Sequence, residues 1–406
     1  MGVSNQSARK VLLLASECWL STARLAVALE SFGCDVDLMA RPAHPAVRAG
    51  VIARTHAYSV LRPVESILRA IRSAQPDVVL PVDELAVLHL DELREAAEAG
   101  DHEEQRSVCA LLTRSGHSAE VAALGRSRAA FIHMAAAAGV AVPETLPVPD
   151  EKSVDAAINS LGLPLALKAD ATFGGRGVRL VSSVAEARRS WHVLHESSSL
   201  TAAVRRGLRW GEWTYVREWA HGTTRSVSAQ RLVRGHERTA MAVASAGTIK
   251  AAVCLEVLQT SANLGPSSVL RIVQDEAMLQ AMQRVARATG VSGLCGFDFM
   301  IDEKTGTPLM LEMNLRPTQL AHLPLGPGQD LVAAYLREML GMQAEDRPAA
   351  TADQFIALFP KEIERDPASE WFARAHHDVP WESPGLVRAA LRRLPPVITA
   401  DPRWQG

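Results

Sequence analysis

Hydrophobic and polar positions change their period several times along the chain, and each change predicts an element. The apolar run inside Lys10–Ser16 reads as a buried strand. Leu20–Phe32 then takes helical spacing, with Ser21 near its start and Gly33 at its end. Short apolar strands are predicted at Asp35–Ala40 and Asp77–Pro81, with helices at Val64–Ser73 and Leu85–Ala99. Strand alternating with helix predicts an open parallel sheet with helices on both faces. Such sheets bind ligands at the carboxyl ends of their strands, which singles out Ser16, Glu17, Asp83 and Glu84. The same four residues also read as helix caps and solvated loop acids.

Past residue 101 the pattern becomes mixed. Helices are predicted at Ser127–Gly139, Lys152–Leu161 and Val184–His195. Leu165–Ala169 and Val178–Val181 read as two strands joined by a glycine-rich loop from Thr172 to Gly177. Gly174, Gly175 and Gly177 allow close approach of backbone to a ligand and can aim successive N–H groups at an anion. Lys168 enters from the neighbouring strand. A tight hairpin using glycine for geometry alone explains the loop equally, and no P-loop or GxGxxG pattern is present. Leu208–Trp219 is read as a strand, followed by antiparallel strands over 226–232, 239–245 and 249–257. Long helices are predicted at Gln274–Thr289 and Leu331–Leu340.

The stretch Val291–Pro317 gives the sharpest pattern. Gly296–Ile301 alternates, with Phe297, Phe299 and Ile301 on one face and Asp298 on the other. After turn residues 302–307, the return strand puts Leu309, Leu311 and Met313 on one face and Glu312, Asn314 and Arg316 on the other. Two carboxylates and an amide oxygen are hard ligands suited to Mg²⁺, and a guanidinium can hold developing negative charge. A solvent-exposed polar strand face fits this stretch as well.

Composition narrows the partners. The chain has 406 residues, a formal net charge of −2 and 22% charged residues. That size predicts two or three domains, and that charge argues against a protein built around nucleic-acid backbone. No apolar run is long enough for a bilayer. Five scattered cysteines without a CxxC pair speak against zinc or disulfides and for a reducing cytoplasm. Residues 346–406 are rich in Pro and Trp and are expected to form an ordered extension packed on the core. His376, His377 and Asp378 there fit a turn packed by Trp381 better than a metal site.

Taken together, these stretches resemble the ATP-grasp superfamily over residues 10–345. Lys168 with Gly174, Gly175 and Gly177 is similar to the family's lysine and glycine loop. Arg217-Glu218-Trp219-Ala220-His221-Gly222 is similar to its adenine hinge. Gly296-Phe297-Asp298-Phe299 and Leu311-Glu312-Met313-Asn314-Leu315-Arg316 are similar to its metal strands. The chain departs from the pattern twice. Arg128 stands where many relatives have a second lysine. Thr223, Thr224 and Arg225 stand where a ribose-holding acid often follows the hinge glycine.

The resemblance implies an α/β and α+β protein: an N-terminal open parallel α/β domain (1–122), a small lobe with the glycine loop (123–205), a large lobe with the metal site (206–345) and the extension (346–406). It implies ATP and Mg²⁺, with Mn²⁺ as the alternative ion. Lys168, Arg128 and the glycine loop would hold phosphates. Glu218, Trp219 and the Ala220 backbone would hold adenine, and Asp298, Glu312 and Asn314 would hold the metal. Arg316 would stabilise the transferring phosphoryl group, with Arg271 and Arg316 as candidates for gripping a carboxylate. The implied activity is an ADP-forming ligase that activates a small-molecule carboxylate as an acyl phosphate and couples it to an amine. Carboxylation, thioester formation and phosphotransfer are alternatives on the same fold, and a nucleotide-binding regulator without turnover is a further one. Neither nucleic acid nor membrane is expected as a partner, and a homodimer is admitted as the assembly.

Overall fold

The computed structural model describes residues 8–116, 118–170, 172, 177–196, 199–210, 214–220, 222, 224–261 and 265–392. Three sheets organise them. The first is parallel, in the order β3-β2-β1-β4, from β1 (Lys10–Leu14), β2 (Asp35–Ala40), β3 (Ile52–Ala57) and β4 (Val78–Pro81). Leu12, Leu13 and Leu14 are fully buried because helices cover both faces. Those helices include α1 (Leu20–Glu30), α2 (Pro63–Ala74), α3 (Glu84–Glu98) and α4 (Glu103–Arg114). Strand β3 has no counterpart in the sequence reading. It is the outermost strand, its residues are half-buried or exposed, and so it carries no apolar run.

Two helices, α5 (Ala119–Gly125) and α6 (Arg128–Ala137), lead to a second, antiparallel sheet. Its order is β5-β8-β6-β7, from β5 (Thr145–Pro147), β6 (Leu165–Ala169), β7 (Val178–Val181) and β8 (Val227–Arg231). Helices α7 (Glu151–Leu161) and α8 (Val184–His195) pack on it, and α8 buries Trp191, whose Nε1 donates to the Val148 carbonyl at 2.9 Å. The strand expected at Leu208–Trp219 is instead α9 (Leu200–Trp210) followed by α10 (Thr214–Ala220). Leu200, Val204 and Leu208 recur at helical spacing, and the two-residue alternation from 214 is too short to override it. Strand β8 lies past residue 205 yet closes this small sheet, so the small lobe extends beyond its expected end.

The third sheet runs β13-β12-β9-β10-β11-β14-β15. It comprises β9 (Gly235–Ser245), β10 (Thr248–Thr260), β11 (Ser267–Val273), β12 (Gly293–Asp302), β13 (Pro308–Asn314), β14 (Phe355–Ala357) and β15 (His376–His377). Helix α11 (Glu276–Thr289) covers one face with Met278, Met282 and Val285. Helix α12 (Leu331–Leu340) covers the other with Leu331, Tyr335 and Leu336, in a core shared with the first sheet. Residues 355–377 extend the edge of this sheet, as β14 pairs with β11 and β15 with β14. Among the described residues, no helix is long and apolar enough to cross a membrane.

Candidate active site

The β12–β13 hairpin builds the site. Phe297 and Phe299 are fully buried and fix the inward face of β12, so Asp298 faces the opposite side. A bulge opposite Asp298–Phe299 shifts the register: Glu312 pairs with Asp298, and Met310 pairs with Phe299. Met310 is therefore fully buried, while Leu309 and Leu311, expected on the apolar face, are only half-buried. The bulge aims Glu312 across from Asp298, as bulges beside active sites often do. Asn314 Nδ2 donates to Asp298 Oδ2 at 3.2 Å.

Two carboxylates on neighbouring strands repel each other. Burial, Glu312 and Glu237 together raise Asp298 well above the ordinary carboxylate range. Burial also opposes ionisation of Glu312, but Arg128 and Lys168 outweigh it and hold Glu312 low. Lys168 projects from β6 of the small lobe; burial lowers it, while Glu312, Asp298 and Glu237 pull the other way. Arg128, the first residue of α6, ties the lobes together. Its Nε donates to Glu312 Oε2 at 3.1 Å, Nη1 to the Ala169 carbonyl and Nη2 to the Thr172 carbonyl at 3.0 Å. Asp170 accepts from the Arg128 backbone N–H at 3.0 Å.

The strand ends of the parallel sheet complete the site. Asp83 caps α3 by accepting from Ala86 N at 2.9 Å, and it also binds Ser16 N at 2.8 Å and Glu17 N at 3.1 Å. Glu84 pairs with Arg316, which also lies over the Trp19 ring at 5.2 Å. Burial works against the Arg316 charge, but Glu84 and Asp298 outweigh it, and the guanidinium is held firmly protonated. Ser16, Glu17, Asp83 and Glu84 therefore sit beside the β12–β13 hairpin.

Asp298, Glu312, Asn314, Lys168, Arg128 and Arg316 come together. Gly177 lies at the far end of its loop, where an added Cβ would collide with Thr172 Oγ1; Gly174 and Gly175 lie outside the described residues.

Two expected sets of residues lie apart from this cluster. Arg271 pairs with Glu256, opposite it on β10, and points to the other face of the sheet from Asp298. Parity decides this, because Asp298, Thr239, Leu255 and Ile272 stand in register and Arg271 is one residue off that row. Glu218, Trp219 and Ala220 lie in the last turn of α10, where their backbone N–H groups bond back along the helix, and Trp219 is 44% exposed. His221 and Thr223 lie outside the described residues.

The connection between the small sheet and the large one is instead Leu232–Arg234, between β8 and β9. Gln230-Arg231-Leu232-Val233-Arg234-Gly235 repeats the spacing of the expected hinge, with Glu237 two residues beyond its glycine. That signal was available in the sequence but was masked by the closer match at 217–222. Asp298 and Glu312 are facing carboxylates on neighbouring strands, and among the described residues no three His, Cys, Asp or Glu side chains form a metal cage. Mg²⁺ fits such a set, since it takes one or two protein carboxylates and completes its shell with phosphate oxygens and water.

This arrangement of lobes and β12–β13 hairpin is that of the ATP-grasp fold. The model of the carbamoyl-phosphate synthase L chain ATP-binding domain matches residues 127–337, just over half of the chain, and the chain belongs to that family. Among solved structures, carboxyaminoimidazole ribonucleotide synthase of Aspergillus clavatus, complexed with ATP, matches at TM-score 0.58 and 16% identity, over 84% of this chain and 80% of that one. The biotin carboxylase domain dimer of Hydrogenobacter thermophilus 2-oxoglutarate carboxylase, in complex with MgADP and bicarbonate, matches at 0.59 and 16%, over 85% and 72%. L-amino acid ligase of Bacillus licheniformis matches at 0.57 and 13%, over 85% and 79%. No curated protein matches the sequence. The family match makes this an ATP-binding domain of the ATP-grasp type, and the solved structures share its fold.

Proposed function

We propose that this protein is an ADP-forming ligase that phosphorylates a small-molecule carboxylate with ATP and couples the acyl phosphate to an amine. The observation that carries the reading is the meeting of Asp298 and Glu312 with Lys168, Arg128 and Arg316, beside Asp83 and Glu84 at the strand ends of the parallel sheet. Asp298, Glu312 and Asn314 would hold Mg²⁺, which neutralises phosphate charge. Lys168 and the 172–177 loop would bind the phosphates. Arg128 would exchange its contact with Glu312 for a phosphate oxygen once the metal claims that carboxylate. Backbone at 231–233 would meet the adenine edge, and Glu237 would take the ribose. Arg316 would hold the substrate carboxylate and then the charge of the phosphoryl group, since guanidinium suits planar anions. The neighbours' dimer makes a homodimer the assembly to test by light scattering; a monomer at working concentration would reject it.

Calorimetry with ATP and GTP, with and without Mg²⁺, tests the nucleotide site. We expect ATP binding that needs Mg²⁺ and is lost in Lys168→Ala. Glu312→Gln should keep nucleotide affinity but lose ADP formation by about 100-fold or more. No nucleotide binding by the wild type would reject the proposal. Nucleotide binding without ADP release, across carboxylates and amines, would leave a regulator in its place.

A further inference from the structure

A cavity of about 80 Å³ opens beside the β12–β13 hairpin. Glu312, Asn314 and Arg316 line one side, and Gly125, Arg126, Arg128 and Phe131 line another. Helix α3 contributes Glu84, Leu88 and Asp91, and Asp170 and Thr172 also line the cavity. Asp91 is only 4% exposed, yet among the described residues its carboxylate has no hydrogen bond or ion pair. The charged groups around it are committed elsewhere. Arg126, facing it from the end of α5, pairs with Glu95. On its own helix, Arg94 bonds Glu98 at 3.3 Å, and Glu92 pairs with Arg217 at 2.8 Å. An unpaired buried carboxylate is costly to keep, which makes it a candidate for function.

Resting on the ligase reading above, we propose that this cavity is the amine subsite and that Asp91 binds the ammonium head of the amine substrate and takes its proton. The volume suits a primary ammonium group, and the Asp91 carboxylate shares the lining with Glu312, Asn314 and Arg316. The chemistry balances. Asp91 takes one proton from the ammonium, and the freed lone pair forms the C–N bond to the acyl carbon. The C–O bond to phosphate breaks with its electron pair, and phosphate carries away the second nitrogen proton. Burial raises Asp91 to about 7, where a carboxylate can accept a proton at neutral pH; Arg126 lowers it, while Glu95 and Glu92 raise it and Arg94 lowers it.

The test compares wild type, Asp91→Asn and Asp91→Glu, with the twenty amino acids supplied as carboxylates and amines and hydroxylamine as an alternative nucleophile. Hydroxylamine is largely neutral near pH 7 and needs no ammonium site. We expect Asp91→Asn to lose about 10²-fold or more in kcat/KM for the ammonium-bearing amine. The wild-type rate should rise with pH through an ionisation near 7 that the variant lacks. ATP affinity and hydroxylamine-dependent ADP formation should stay within about twofold, and Asp91→Glu should recover part of the loss. Equal effects on both nucleophiles, or none, would overturn the assignment while leaving the ligase reading intact. A wild type that binds no ATP would overturn both.

Discussion

At the scale of single residues, the site holds charges that the fold alone would not choose. Asp298 faces Glu312 across two strands, with Glu237 adding to the repulsion. A carboxyl raised by folding costs stability at every pH above its unfolded value, because the folded state must hold a proton that the unfolded state has released. Asp298→Asn should therefore be as stable as the wild type or more stable at pH 7.5, with the gap closing as pH falls toward 4. Its Mg²⁺-dependent ADP formation should fall about 100-fold or more. Thermal melts across pH, without nucleotide, check the first part; a variant that melts lower at every pH would show that Asp298 is structural. Asp91 makes the same kind of prediction with a defined window. Its carboxyl is raised to about 7 from an ordinary 3.8, so its penalty grows between those values and is constant above them. Asp91→Asn should gain on the order of 1–4 kcal/mol relative to wild type between pH 4 and pH 7. Denaturant titrations at pH 4, 6 and 8 would show it, and a pH-independent difference would exclude the raised carboxyl.

At the scale of elements, much was legible in the sequence where burial imposes a period. The strands of the first sheet carry apolar runs because both faces are covered, and the β12 alternation matches a strand with one buried face. The bulge at Leu311 was not legible, since strict two-residue alternation assigned that residue to the core in place of Met310. The segment that joins the small sheet to the large one was hard to single out for a related reason. A short motif match at 217–222 competed with one at 230–235, and only sheet topology tells which segment joins the small lobe to the large one. Gly235 gives an element-level test. A Cβ there would lie 1.7 Å from the Ile301 carbonyl oxygen, a backbone atom that cannot step aside. Gly222, in the 217–222 match, meets nothing within 4 Å, though its φ of +59 disfavours a side chain. Gly235→Ala should cost roughly 2 kcal/mol or more, against about 1 kcal/mol for Gly222→Ala. It should also weaken ATP binding if 230–235 is the hinge, and calorimetry on the two variants would settle which segment carries the nucleotide.

At the scale of the molecule, the segment after the large lobe works as a clamp. Asp378 is buried between two parts of the chain that lie far apart in sequence. Arg24 Nη2, from α1, pairs with its Oδ1 at 2.6 Å, and Arg24 Nη1 donates to its carbonyl at 3.1 Å. His322 Nε2, beyond the β12–β13 hairpin, meets the same Oδ1 at 3.1 Å. Burial lowers His322 further than Asp378 raises it, so the ring is neutral near pH 7 and Arg24 is the cation that answers the carboxylate. Burial resists the Asp378 charge, but His322 and Arg24 overcome it and hold the group below its ordinary range. The sign follows for both groups. The unfolded histidine takes up a proton near 6.5 while the folded one resists, and Asp378 loses its advantage as pH falls below 3.8, so acid weakens the clamp in two stages. Arg24→Met leaves the buried carboxylate without its cation and should cost about 3–5 kcal/mol at pH 7. Limited proteolysis should then cut first within 346–392, where β14 and β15 join the sheet edge. The double variant Arg24→Met, Asp378→Asn should recover part of the loss, because the uncompensated charge is gone. If Arg24→Met alone melts like the wild type, the extension is held by its apolar contacts and the ion pair is incidental.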